Sequence, residues 1–246
     1  MTSAPGALDR GLGILRLVAQ HRRLPVSGIA DALGLSRATA YRLVERLREE
    51  GWLISEGHGG PVRLGPVAAQ LAAAALESVN LRDVAIPVLR ELVEATGETA
   101  NLAVPNGAEM VFVAREHPLR TVSVGAHPGG TRPFATTSLG RAYLMALPEP
   151  RRSAFTTPEL EKKLDVMRAR GWSEDRREYD PSSCCCGAPI RDHTGEPVGA
   201  LSVAGVAERM DPVLDEVGPQ VRDAAARISA SLGYLPPVPA ARVIPD

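Results

Sequence analysis

Between Val26 and Leu47 the apolar residues recur at helical spacing in two short runs that meet at a glycine. Val26, Ile29, Ala30 and Leu33 form the first stripe, Gly34 permits a sharp turn, and Leu35 is placed to plug between the two helices. Ser36 is positioned to cap the second helix. The apolar face of that helix is Ala40, Leu43, Val44 and Leu47, which leaves Arg37, Thr39, Tyr41, Arg42, Glu45 and Arg46 off the stripe. Two strand-sized runs follow, Trp52 to Ser55 and Pro61 to Leu64. They flank Glu56-Gly-His-Gly-Gly60, whose three glycines tolerate positive φ. Two helices and a hairpin in this order predict a winged helix-turn-helix.

The residues left off the stripe suit a major groove, where arginine bridges guanine or phosphate and threonine meets a thymine methyl. The candidate DNA contacts are Ser27, Ser36, Arg37, Thr39, Tyr41, Arg42 and Arg46 on the helices, with His58 and Arg63 on the wing. A wing carrying His58 and Arg63 is suited to a phosphate backbone or a minor groove. A plain helical hairpin in an all-α core gives the same helix pattern, and the Gly-rich wing is what weighs against it. A winged helix used only for protein contacts is a further alternative, and it would show no salt-dependent DNA affinity.

Beyond the wing the pattern changes twice. Gly65-Pro66 opens the Ala-rich run from Val67 to Val79, a strong helix former that reads as a linker helix. Asn80 is placed to cap a helix over 81–95, which stops at Thr96-Gly97. From residue 98 strands are expected at 99–104, 110–115, 121–125, 172–174, 185–190 and 198–203. Helices are expected at 136–147, at 158–170, and from Met210 to about Leu232. Strands bracketed by helices on one side predict an α+β domain. The tail from residue 234 is Pro-rich and irregular. The expected domains are therefore 1–65, a linker helix at 66–80, a second domain at 81–233 and a tail at 234–246.

Charge sharpens the division. Residues 1–66 hold nine Arg and no Lys against six Asp plus Glu, an excess of +3, while the remainder carries −4 of the chain's net −1. An excess this small implies that DNA affinity comes from pairing two domains, hence a homodimer or higher homo-oligomer. No run reaches the roughly 18–20 apolar residues of a membrane span, and the first residues lack a secretory signal pattern, so a cytoplasmic protein without membrane contact is expected. The three cysteines, Cys184, Cys185 and Cys186, are consecutive and cannot staple distant parts of a fold, so free thiols are expected.

Six segments in this order resemble the IclR family of bacterial transcriptional regulators: Leu35-Ser-Arg-Ala-Thr-Ala-Tyr-Arg-Leu43, Val62-Arg-Leu-Gly65, Thr96-Gly-Glu-Thr-Ala-Asn-Leu102, Thr137-Ser-Leu-Gly-Arg-Ala142, Cys185-Cys-Gly-Ala-Pro-Ile190 and Gly199-Ala-Leu-Ser-Val-Ala-Gly205. The resemblance runs from about Leu8 to Leu232. It implies a winged helix-turn-helix, a linker helix and a C-terminal effector-binding domain, an antiparallel sheet flanked by helices akin to GAF or profilin-like sensors. Such regulators resemble dimers, or dimers of dimers, on pseudo-palindromic operators of double-stranded DNA. Most are repressors, and they respond to a small organic molecule.

The same resemblance implies an effector site at Gly129, Gly130, Phe134, Leu139, Asp175, Cys185 and Ser202, with Phe112 and Met145 as further apolar walls. Glycine N–H groups beside a helix start suit a carboxylate, and a serine hydroxyl adds a donor. Asp175 and Cys185 are placed to meet a ligand hydroxyl or carbonyl. Two departures, Ala135 and Ala204 where the family often has polar residues, imply an effector less polar than a two-carbon acid. The bland alternatives are a capping role for Ser202, a surface ion pair of Asp175 with Arg176 or Arg177, and a plain turn at Gly129-Gly130. No cofactor or metal is expected. The rival functions are a thiol- or metal-responsive regulator and, less favoured, a cysteine enzyme using Cys185 and His193. Consecutive cysteines alternate faces of a strand, so at most two would share a metal.

Overall fold

Gly34 ends the first helix of the motif in left-handed backbone, at φ 62°, with its N–H turned back to the carbonyls of Ala30 and Asp31. A computed structural model describes residues 6–55, 60–71, 80–119, 124 and 127–236, and the chain divides into two compact units on either side of residue 79.

The N-terminal unit contains α1 (Ala7–His21), α2 (Val26–Leu33), α3 (Arg37–Glu49), β1 (Leu53–Ser55) and β2 (Val62–Leu64), then α4, described over residues 66–71. The sequence reading did not assign α1. Its Ile14 and Val18 are fully buried and pack with Val26, Ile29, Ala40, Val44, Leu53 and Val62 into one core. The hairpin pairs Leu53 with Leu64 and Ser55 with Val62. Leu24 adds a bridge to Val62, with backbone bonds of 3.1 and 2.9 Å, which ties the loop before α2 to the wing. Gly65 is required at the hairpin's return, because a Cβ there would lie 2.3 Å from the Gly51 carbonyl oxygen. The wing tip, 56–59, lies outside the described residues.

The second unit begins with α5 (Leu81–Thr96), capped by the Asn80 side chain and closed by Gly97 at φ 66°. Its strands are β3 (Thr99–Asn106), β4 (Glu109–Glu116), β5 (Thr131–Pro133), β6 (Ser173–Arg176), β7 (Ser183–Arg191) and β8 (Pro197–Val206). They form one antiparallel sheet in the order β5-β4-β3-β8-β7-β6. The helices between and after them are α6 (Ser138–Ala146), α7 (Glu149–Arg152), α8 (Pro158–Arg170), α9 (Ala207–Met210) and α10 (Leu214–Ser231).

Helices cover both faces of this sheet, not one as the sequence pattern predicted. On one face Leu89 of α5 and Val221 and Ile228 of α10 pack on Leu102, Ile190 and Leu201. On the other, Leu144 of α6 and Leu164 of α8 pack with Met110, Phe112 and Ala200. The reason lies in β3, β7 and β8, which are buried along most of their length, so neither face can be left to water. The helix expected from Met210 is broken: α9 ends there, Asp211–Val213 makes a 3₁₀ turn around Pro212, and α10 restarts at Leu214. The strand expected at 121–125 falls almost wholly outside the described residues, and β5 and α7 were not expected.

Candidate functional sites

The helix of the DNA-reading motif opens with the expected cap. Ser36 Oγ accepts the Thr39 N–H at 3.2 Å and sits 2.8 Å from Thr39 Oγ1. Arg37, Tyr41 and Arg42 are exposed on one side of α3, Thr39 and Ser27 are half-buried, and Arg63 is exposed on β2. Arg46, also exposed, carries ion pairs of its own. It bonds Glu49 at 3.2 Å and Glu50 at 2.7 Å, so its charge is answered within its own helix. Arg48 is likewise held by Glu45 at 2.7 Å. The free cationic face of α3 is therefore its N-terminal half, where Arg37 and Arg42 make no ion pair among the described residues. His58 lies outside the described residues.

In the second unit, strand register brings together residues far apart in sequence. Asp175 pairs with Cys185, Cys185 with Ala204, and Ala204 with Thr99. The next row is Ser173, Gly187, Ser202 and Asn101. Directly paired residues project to the same face, so these rows form one polar strip on a sheet that is otherwise apolar. Gly187 leaves room for the start of α6: a Cβ there would come 2.9 Å from the Ser138 carbonyl oxygen, which instead accepts the Ser173 hydroxyl at 2.6 Å. Thr137 caps α6 by accepting the Gly140 N–H. The N–H groups of Ser138 and Leu139, in the first turn, find no acceptor among the described residues.

The strip and this helix terminus enclose a cavity of about 410 Å³. Its walls include the predicted Leu139, Asp175, Cys185 and Ser202, with Phe112 as the predicted apolar wall. Ala204, a departure from the family pattern, also lines it. Four predicted residues do not. The Gly129 N–H is spent on the Phe112 carbonyl at 2.8 Å and the Gly130 N–H on the His127 carbonyl at 2.9 Å, so neither is available to a carboxylate. Phe134 is buried with its ring 5.2 Å from both Tyr143 and Phe155, and Met145 belongs to the same apolar cluster.

Sequence reasoning gave no role to Asn101, Ser138 or Tyr179, which line the cavity together with Arg132. Asn101 had a signal: Thr99 and Asn101 alternate as polar residues on a strand whose other neighbours are apolar. Thr99 Oγ1 and Asn101 Oδ1 are both buried without a hydrogen-bond partner among the described residues.

Asp175 is not a surface ion-pair partner. It is 2% exposed, and its Oδ1 accepts the N–H groups of Glu178 at 2.9 Å and Tyr179 at 3.2 Å. Burial raises its pKa, although those bonds and the Arg141 charge act against the rise. Cys184 and Cys186 point into the core beside α10, while Cys185 faces the cavity. All three thiols are free. Burial, and then the Asp175 charge, pushes the Cys185 thiol well above its ordinary value, and burial pushes Cys186 up to about 12. Among the described residues no three His, Cys, Asp or Glu side chains are grouped to hold a metal, and no helix is long and apolar enough to cross a membrane.

Comparison with known proteins agrees with both units. Residues 7–57 match the IclR helix-turn-helix domain and residues 73–230 match the bacterial transcriptional regulator IclR C-terminal domain. The HTH-type transcriptional regulator BhcR of Paracoccus denitrificans is 32% identical over 91% of this chain and 86% of its own length. The HTH-type transcriptional repressor AllR of Salmonella typhimurium is 30% identical over 94% of this chain and 92% of its own. Among solved structures, an IclR transcriptional regulator from a Silicibacter species superimposes with a TM-score of 0.84 at 25% identity, covering 96% of this chain and all of that one.

Proposed function

The chain belongs to the IclR family of bacterial transcriptional regulators, not to an enzyme family, and on that premise we propose that it is a cytoplasmic, homo-oligomeric repressor whose operator binding is controlled by a small carboxylic acid. Ser27, Ser36, Arg37, Thr39, Tyr41, Arg42, His58 and Arg63 are its DNA face. Arg37 and Arg42 are the base or phosphate contacts of most consequence. The winged domain and the domain of residues 81–233 are the DNA-binding and effector-binding halves, with 66–80 as the linker between them; of the linker helix expected there, 72–79 lie outside the described residues. The relatives named as repressors support the sign of regulation.

The observation that carries the effector assignment is the convergence of Asp175, Cys185, Ser202 and the first turn of α6, at Ser138 and Leu139, on one cavity. A carboxylate seats on the Ser138 and Leu139 N–H groups, where the helix dipole adds to the hydrogen bonds. Ser202 is placed to donate to a further ligand oxygen, and the Asp175 carboxyl, buried on the wall, to meet a ligand hydroxyl. A ligand shifts the DNA-competent population only by its differential affinity for the two states, so contacts at this cavity control release from DNA. The test is to footprint the protein on DNA upstream of its own gene and its neighbours, then to screen acids for release of that operator. Release abolished by Ser202→Ala together with Leu139→Glu supports the reading. Release untouched by both changes removes the cavity from it.

A further inference from the structure

Two polar groups on the cavity wall have no answer within the chain. Asn101 is 2% exposed. Its Nδ2 reaches Ser202 Oγ at 3.5 Å, and its Oδ1 accepts nothing among the described residues. A buried acceptor left empty carries the full desolvation cost of that atom unless a ligand donates to it.

The second is Arg132. It starts on β5, at one edge of the sheet, and its guanidinium carbon lies 4.9 Å from the ring centre of Tyr179, in the loop after β6 at the other edge. The same carbon is 5.5 Å from the Phe112 ring centre. Arg132 thus roofs the cavity whose floor holds Asn101 and Ser202. One of its N–H groups bonds the Thr131 carbonyl at 2.9 Å, and among the described residues it meets no carboxylate within ion-pair distance. The rings engage its face and leave edge donors for a planar acceptor such as a carboxylate.

The cavity's own carboxylates do not bond it. Asp175 accepts the Glu178 and Tyr179 N–H groups, and Asp180 Oδ1 accepts the Ser182 N–H at 2.8 Å and the Ser182 hydroxyl at 2.7 Å. The Arg132 charge acts on Asp180 through space, yet among the described residues no carboxylate oxygen comes within ion-pair distance of its guanidinium, so its edge donors, like the α6 terminus, stay open to a ligand. The volume, about 410 Å³, lies within the range of organic-ligand pockets, roughly 300–1,000 Å³, and a two-carbon acid would leave most of it to water.

We infer that the effector is a dicarboxylic acid longer than two carbons with a hydroxyl or amide N–H near one end: one carboxylate on the α6 N-terminus, the donor on Asn101, the far carboxylate on Arg132. This rests on the cavity being the effector site and narrows what that site admits.

The test titrates the full-length protein by calorimetry with three probes matched in length: 2-hydroxyglutarate, glutarate, which lacks the hydroxyl, and 2-hydroxyvalerate, which lacks the second carboxylate. The expected order has 2-hydroxyglutarate tightest, by about 10- to 100-fold over 2-hydroxyvalerate for a charge-assisted contact. Arg132→Gln should bring 2-hydroxyglutarate down to the level of 2-hydroxyvalerate, whose own binding changes little. Asn101→Ala should erase the advantage of the hydroxyl acid over glutarate, whereas a merely structural defect weakens all three together. Equal binding of the three probes, each weakened by Ser202→Ala, overturns the dicarboxylate assignment and leaves the effector site standing. No binding of any probe, or binding indifferent to Ser202→Ala, overturns both.

Discussion

Arg141 holds Glu178 through two parallel hydrogen bonds, Nη1 to Oε1 at 2.7 Å and Nη2 to Oε2 at 2.8 Å, with the guanidinium side chain only 3% exposed. Its remaining donors reach the carbonyls of Ala135 at 2.8 Å and Glu174 at 2.9 Å. One side chain of α6 therefore fixes the segment before its own helix, strand β6, and the loop that carries Tyr179 over the cavity. Lys163 adds a third hydrogen bond to Glu178 at 2.9 Å. The Arg141 bonds are the largest cause that lowers the Glu178 pKa, to about 2.

Glu178→Gln should lower the stability of the second unit by about 1–3 kcal/mol, less than a wholly buried pair because Glu178 is partly in water. The folded pKa lies below the unfolded one, so the carboxylate's contribution is present above the ordinary value of 4.5 and is lost as pH falls toward about 2. Chemical denaturation of parent and variant at pH 7 and pH 3 checks this, and the difference between them should shrink at the lower pH.

Gly140 and Gly187 seat the start of α6, and each should resist even alanine. A Cβ on Gly140 would lie 2.3 Å from the Phe134 Cα, which no rotamer change relieves. Gly140→Ala should cost about 2–4 kcal/mol of stability, at the severe end of point substitutions. Gly187→Ala meets the Ser138 carbonyl at 2.9 Å, a milder clash that displaces the helix terminus. It should weaken effector binding more than it lowers the melting temperature.

On the DNA face, Arg37→Ala with Arg42→Ala should weaken operator binding by several kcal/mol, at about 1–3 kcal/mol for each good contact, with the fold intact. Arg46→Ala should cost clearly less, because Glu49 and Glu50 already hold that guanidinium. Anisotropy titrations at one fixed salt concentration separate the two outcomes.

Cys185 should behave as an inert thiol at neutral pH. The thiolate is the nucleophile, and burial with the nearby Asp175 charge keeps the proton on sulfur. Iodoacetamide at pH 7.5 should label the native protein far more slowly than the unfolded chain. Rapid native labelling that also alters operator binding would revive the thiol-sensing alternative.

Ser202→Ala should raise the effector concentration needed for release by about 2- to 10-fold, the worth of one hydrogen bond, and leave operator affinity without effector nearly unchanged. Parallel release curves and unliganded DNA titrations supply both numbers.

Local chemistry wrote much of the fold plainly into the chain. Asn80 and Gly97 bracket α5, Pro158 and Gly171 bracket α8, and Ser36 opens α3, because caps and left-handed glycines act within a few residues. Alternation along 184–186 placed one thiol apart from its neighbours, as the structure has it. Asp175, Cys185 and Ser202 were reached through motifs, and the cavity contains all three.

What the sequence reading did not settle was set by pairing in the folded chain, much of it between distant residues. Whether Gly129 and Gly130 offer their N–H groups depends on which carbonyls lie opposite, and Phe112 and His127 took them. The pairs of Arg46 with Glu49 and Glu50, by contrast, lie at helical spacing and were there to be read in the sequence. The row from Thr99 to Asp175 exists because β3 pairs with β8 across about a hundred residues, a register no local pattern encodes. Arg132 roofs the cavity only because the sheet brings its two edges within reach of one side chain. Sequence alone determined most of the elements, their caps and the family, though not α1, β5 or α7; pairing in the folded chain decided which polar atoms remain free, since a donor or acceptor is free only when no neighbour in the fold has claimed it.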